Sequence, residues 1–411
     1  MSRWNSWAAA GRMGVLCVGL LLIAALSPAA LAHSASTGAG WQKVQATGAV
    51  QGLDGRSHTA TCSGYPGTDA KFNFWTRKGK SRNLVIYLEG GGACWDDLTC
   101  TFPYDSRLPT GVPQFYSAAM ASSEKPAQLG GLFNLNRSDN PVKDWDMVYV
   151  PYCTGDLHSG TTTGTYINAG HPAYQHLPGQ FDIRHQGFSN LMVVLDWVKR
   201  NVQAPARVLV AGSSAGGYGA SINFPWVRTL FPAAQMRVLA DASQGVTTPN
   251  WDQGTPGRGS WQVQLPPWAI NMNPAAVSGP ELLRLAAQAH PDVRVAQFST
   301  NFDLEQVQFY GVMKEYYGPG SACPYPVLDW NRQMVSTMRS YAQTLPNYRH
   351  YLAAGTYHTI LTGNDFYTER TFGVAFNDWL GAMVAADADQ PWRWRNVACL
   401  GCLIQLPCPT P

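Results

Sequence analysis

The chain is short of charge. Only 13% of its 411 residues are Asp, Glu, Lys or Arg, and the formal net charge is +3. No basic run disturbs that balance, so the electrostatic footprint of a nucleic-acid binder is missing and no nucleic-acid partner is expected. Long apolar runs are missing too. The fullest one, GVLCVGLLLIAAL at 14–26, falls short of the ~18 residues a membrane-spanning helix needs. No internal repeat is visible, and no Pro/Gly/Ser linker is long enough to divide the chain. Together these absences exclude a nucleic-acid binder, a membrane-spanning protein and a solenoid.

What the N-terminus does have is the pattern of a secretory signal over 1–32. Arg3 and Arg12 form its positive region, 14–26 its apolar core, and Ala30-Leu31-Ala32 a small-residue cleavage site before His33. Cys17 follows Leu16 rather than a small residue, which argues against lipid attachment there. The leader holds two of the 29 basic residues and none of the 26 acidic ones, so the remainder is nearly neutral. A secreted (extracellular or periplasmic), monomeric protein with one catalytic domain over 33–411 is expected. Its eight remaining cysteines, Cys62, Cys94, Cys100, Cys153, Cys323, Cys399, Cys402 and Cys408, are an even set, as disulfides in an oxidising compartment require. The spacing of Cys94 and Cys100 suits a staple across one loop. A zinc site on Cys323, Cys399, Cys402 and Cys408 is the weaker reading, since thiolates outside the cell are usually consumed as disulfides.

From residue 83 onward, apolar strand runs alternate with helical patterns. Strands are expected at 83–90, 145–152, 206–212, 236–243, 293–303 and 348–355. Helices are expected at 188–201, after 214, at 280–289 and at 327–344. The alternation predicts an α/β fold with a mostly parallel sheet, helices on both faces and long loops over the C-terminal ends of the strands. Three irregular stretches, 96–140, 154–186 and 244–279, follow strand ends, where ligand-binding loops lie, and are expected to wall a cleft.

Between the run ARVLV and a helix start stands Ala211-Gly212-Ser213-Ser214-Ala215-Gly216-Gly217. Its G-x-S-x-G core is the pattern of a nucleophile elbow, in which small neighbours let a serine sit on a tight strand-to-helix turn. Ser214 is therefore the candidate nucleophile and the Ala215 N–H a candidate oxyanion donor. An acyl-transfer site also needs a base and an acid to orient it. Of the histidines after Ser214, His290 closes a helix and His350 lies inside a strand. His358 follows Gly355 just past a strand end, where a base belongs. Asp303 ends the preceding strand run and is the expected acid, with Glu305 and Asp241 as rivals. Leu88-Glu89-Gly90-Gly91-Gly92-Ala93-Cys94 brings a second set of N–H groups, with Gly91 or Gly92 as donor.

LEGGGACWDDLTC (88–100), YVPYCTGDLHSG (149–160), AGSSAGGYG (211–219) and the Phe302-Asp303 pair resemble the pectin acetylesterase/Notum family of serine carboxylesterases, over about Cys62 to His358. The resemblance implies an α/β-hydrolase-like fold and a Ser214, Asp303, His358 triad. It also implies an oxyanion hole of Gly91, Gly92 and Ala215, and disulfides Cys94–Cys100 and Cys62–Cys153. The chain departs from the pattern in carrying Gly92 where the Notum branch has tryptophan, which predicts a deeper acyl pocket. GTYHTIL around His358 lacks the cysteine flank of plant members, and the segment from Cys399 to Cys408 has no counterpart.

The function expected is that of a secreted hydrolase removing O-acetyl groups from a polysaccharide such as pectin, with no cofactor and no metal. The alternative keeps the triad but acts on a lipid or aliphatic polyester, with Trp95, Trp251, Trp261 and Trp268 lining an apolar cleft. A non-catalytic carbohydrate-binding module is the reading from another class, and the complete Ser-Asp-His set argues against it.

Overall fold

Strand Asn83–Leu88 has every residue buried, because both of its faces are covered by other layers. A computed structural model describes residues 40–408 except 109–110, 122–125, 270–271, 275–276, 319–320, 387–392 and 406; the expected leader lies outside the described residues. Nine strands form the main sheet. In chain order they are β1 (Gln42–Gln45), β2 (Asn73–Arg77), β3 (Asn83–Leu88), β4 (Asp146–Val150), β5 (Arg207–Ser213), β6 (Gln235–Asp241), β7 (Arg294–Thr300), β8 (Tyr348–Ala353) and β9 (Val397–Ala398). Their spatial order is β1-β2-β4-β3-β5-β6-β7-β8-β9. The edge pairs β1–β2 and β2–β4 are antiparallel and all the others are parallel.

Two-residue periodicity sends alternate side chains to opposite cores. In β5, Val208 and Val210 join a layer with Phe188, Leu191, Phe224, Val227 and Leu283. Leu209 and Ala211 join the opposite layer with Phe298, Tyr351, Phe376 and Trp379. Helices α1 (Gly187–Asn201), α2 (Ala215–Leu230) and α3 (Gly279–Ala289) contribute to the first layer, and α6 (Phe376–Val384) to the second. Helices thus cover both faces of the sheet, as the alternation predicts.

Two more helices, α4 (Leu304–Tyr317) and α5 (Pro326–Thr344), run between β7 and β8. The strand expected at 293–303 stops at Thr300, and Asp303 is the N-cap of α4, its carboxylate accepting from the Gln306 N–H at 3.1 Å. Strand periodicity carries the reading too far, because the run is broken by Asn301. Helix α4 escapes it because Leu304, Val307, Tyr310 and Met313 do not gather on one apolar face. β9 follows the strand expected to be last, and a hairpin, Thr162–Ile167 with Gln180–His185, lies within an irregular stretch.

Four disulfides join Cys62–Cys153, Cys94–Cys100, Cys323–Cys408 and Cys399–Cys402. The first two are those the family resemblance implies. The last two take up all four sulfurs considered for zinc.

Candidate active site

Ser214 stands between β5 and α2 at φ 55°, ψ −125°, a region that residues with a Cβ seldom occupy. The chain reaches it only because its neighbours are small: a Cβ on Gly216 would lie 1.9 Å from the Leu88 carbonyl oxygen. The two adjacent serines are used differently. Ser213 is buried, donates to Asp241 Oδ2 at 2.6 Å and accepts from the Tyr87 hydroxyl at 3.0 Å. Ser214 lies on the wall of a cavity instead, together with His358, Gly92, Ala215 and Glu305.

His358 sits past the end of β8 on a loop sewn to the β7–α4 junction. Phe302 N–H donates to Gly355 O, Leu304 N–H to Thr356 O, and the Thr300 hydroxyl to Tyr357 O. This stitching brings His358 Nδ1 to 2.8 and 3.0 Å from the two oxygens of Asp303, a carboxylate with no solvent exposure. Gln306 Nε2 donates to the same carboxylate at 2.9 Å. Sequence reading overlooks Gln306, although Asp303-x-x-Gln306 is the spacing of a helix N-cap. Burial pushes the imidazole pKa down, but the Asp303 hydrogen bond and charge, aided by Glu305 and Asp241, outweigh it and leave the value raised. His358 Nε2 is buried and has no hydrogen-bond partner among the described residues. His290 and His350 are not on this cavity wall, and Glu305 accepts from the Tyr104 hydroxyl at 3.2 Å instead of meeting the imidazole.

Asp241, the other rival acid, turns away from the imidazole. Besides Ser213 it accepts the Ile360 and Leu361 N–H groups, at 3.0–3.1 Å, so it pins the far side of the histidine loop. Burial lifts its pKa to about 6. Asp241→Asn replaces one acceptor oxygen with an amide donor facing those N–H groups. A misplacement of about 1 Å costs of order 10²-fold in rate, so kcat should fall by about that factor with KM little changed. Wild-type kcat in a less thermostable variant would reduce Asp241 to a purely structural role.

The glycine block after β3 is held open. Ala93 N–H donates to Phe115 O at 2.9 Å and Ser117 N–H to Gly91 O at 2.8 Å. No hydrogen bond among the described residues uses the Gly91 or Gly92 N–H. Ala215 begins α2, where the first N–H groups lack an intrahelical acceptor. Gly92 and Ala215 line the cavity, and Gly91 is not among its lining residues. The expected deepening at Gly92 does not occur. Its φ is +67°, and a Cβ there would meet the Phe115 carbonyl oxygen at 1.8 Å, so backbone already fills the space a side chain would take.

The cavity measures about 90 Å³. Its lining is mostly apolar and includes Trp95, Trp251, Trp261, Leu283, Phe309 and Met313; Trp268 is not part of it and packs with the cluster of Leu265 and Leu282. The 154–186 and 244–279 segments supply wall residues, among them Leu157, Ser159, Val246 and Val263. The 96–140 segment does not, among its described residues; Phe102, Phe115 and Tyr116 instead pack with Tyr166 and Phe181 of the hairpin.

A family model described as Pectinacetylesterase matches residues 47–254. The chain is 31% identical over 191 residues to the palmitoleoyl-protein carboxylesterase notum2 of Xenopus laevis, a match covering 44% of this chain and 34% of that protein. This chain therefore spans about a third of that relative's length. It is also 31% identical over 113 residues to an inactive palmitoleoyl-protein carboxylesterase, notum1b of Danio rerio, covering 27% of this chain and 73% of that one. The structure of the Wnt deacylase Notum from Drosophila superposes with a TM-score of 0.54 at 17% identity, covering 86% of this chain and 96% of that one. At that identity the likeness shows the fold, a Notum-like α/β-hydrolase architecture.

Proposed function

The chain belongs to the pectinacetylesterase family of carboxylic-ester hydrolases, and on that premise we propose that it is an active serine esterase for short acyl groups, with O-acetylated polysaccharide as its substrate class. An inactive relative exists, so activity has to be argued from the site. One observation carries the reading. A histidine held by a buried carboxylate leaves its Nε2 unpartnered on the cavity wall that Ser214 also forms. In the proposed reaction Ser214 Oγ attacks the ester carbonyl while His358 Nε2 takes its proton. Asp303 holds the imidazole and stabilises its charge. The Gly92 and Ala215 N–H groups, with Gly91 beside them, receive the oxyanion. His358 returns the proton to the leaving alcohol, then activates the water that frees the acid. No step calls for a cofactor or a metal.

Cavity size favours a short acyl group. Its 90 Å³ is below the ~150 Å³ that admits a benzene ring in an engineered apolar cavity. Among p-nitrophenyl esters, kcat/KM should peak at acetate to butyrate and fall at least about tenfold by octanoate, because surplus methylenes find no room. Rates that climb steadily to octanoate would favour the lipid or polyester alternative, and would bring the palmitoleoyl substrates named for the relatives into play. Acetate release from acetylated pectin tests the polysaccharide half of the proposal.

Export completes it: a leader over 1–32, a single catalytic domain over 33–411 and a monomeric extracellular or periplasmic product. The four disulfides support it, and no described helix is long and apolar enough to cross a membrane.

A further inference from the structure

Among the described residues of the cavity wall, one carries a guanidinium or ammonium group. Arg258, 5% exposed, is part of the wall that also carries Ser214 and His358. Its Nε lies 3.4 Å from Asp252 Oδ1, and its Nη2 donates to the carbonyls of Pro274, at 2.7 Å, and Val277. Its Nη1 is buried and donates to nothing among the described residues. Buried donors without partners are rare in folded proteins, so this one calls for an explanation. Beside it on the same wall, Thr247 spends its hydroxyl proton on Asp252 Oδ2 at 2.5 Å, which leaves its oxygen lone pairs to accept.

We propose that Arg258 and Thr247 form a polar subsite of the acyl pocket that selects short acyl groups carrying a hydroxyl. The proposal rests on the esterase reading above and refines its short-acyl class. A hydroxyl is the smallest neutral group that can accept from Arg258 Nη1 and donate to Thr247 Oγ1 at once. A carboxylate fits less well. Asp252 already balances the guanidinium, and Asp303, Asp241 and Glu305 add negative charge around the same cavity, so an anionic acyl group would enter uncompensated. An acetyl group brings no oxygen beyond its ester and leaves the Arg258 donor unsatisfied. Acetate remains a substrate, and the preference is read between acyl groups of equal length. Sites built to hydrogen-bond a substrate hydroxyl discriminate against the analogue that lacks it far better than apolar pockets discriminate by size.

The experiment compares ethyl 3-hydroxybutyrate with ethyl butyrate, and ethyl 6-hydroxyhexanoate with ethyl hexanoate, by acid release from the purified full-length protein. At least one hydroxy ester should exceed its parent in kcat/KM by about tenfold or more. Arg258→Met should bring that ratio to near one, and Thr247→Val should lower it. Because each ratio is taken within a single enzyme, it is independent of changes in overall activity. Parents cleaved at least as fast as both hydroxy esters by the wild type would overturn the subsite and leave the esterase reading standing, and that comparison needs no variant to fold. An unchanged preference in Arg258→Met would remove Arg258 from it. If neither the parents nor p-nitrophenyl acetate is cleaved, both proposals fall.

Discussion

Ser214→Ala is expected to abolish ester hydrolysis, lowering kcat by about 10⁵- to 10⁶-fold, the scale seen when a nucleophile is removed from a group of residues that act as a unit. The fold should survive, because Ser214 reaches its unusual φ through the glycines around it and not through its hydroxyl. Ser213→Ala makes the sharper comparison. It deletes the donor to Asp241 and the acceptor for Tyr87, both buried, and should cost about 1–3 kcal/mol of stability while substantial activity remains. A fluorophosphonate that labels Ser213, or an active Ser214→Ala enzyme, would overturn the assignment of the nucleophile.

The second large effect belongs to the pair behind that serine. His358→Ala and Asp303→Asn should each reduce kcat by about 10⁴-fold, since a missing base and an imidazole in the wrong tautomer are comparably damaging. Their pH behaviour separates chemistry from simple loss of structure. The base works only when neutral. Asp303 holds the imidazole pKa above the ordinary value of about 6.5, so wild-type kcat/KM should drop as pH falls through a midpoint above that value. Asp303→Asn removes the hydrogen bond and charge that raise the pKa and leaves the burial that lowers it, so the residual activity should hold to lower pH. Linkage has the matching sign. The protonated His358–Asp303 pair stabilises the fold fully below the unfolded-state pKa of histidine, and that contribution is lost as pH rises through the folded value. A wild-type midpoint below 6.5, or near-wild-type turnover in His358→Ala, would remove these residues from the proposed mechanism.

The sequence by itself determined the α/β-hydrolase-like fold, the elbow and the chemical type, because each depends on short-range features. Parallel strands buried on two faces must be continuous apolar runs, and a strained strand-to-helix turn must be flanked by residues without bulk. The G-x-S-x-G block therefore carries its own geometry. The expectation of Ser214 over Ser213 also rests on motif register, since only Ser214 has glycines two residues to either side. Tertiary structure alone decided how distant residues share roles. Asp241 ends one sheet strand and Asp303 follows another; chain order favours Asp303 on paper and leaves Asp241 as its rival. Hydrogen bonds from the Phe302 and Leu304 N–H groups and the Thr300 hydroxyl to 355–357 bring Asp303 to the imidazole, while Ile360 and Leu361 claim Asp241. Gly92 was misleading for the same reason. A missing side chain signals space only if nothing else fills it, and here the Phe115 carbonyl does. Arg258 carries no local motif at all. Its meaning arises from packing that places a paired but unsaturated guanidinium on the wall of an apolar cavity, and such an arrangement of residues far apart in the chain leaves no trace in their order.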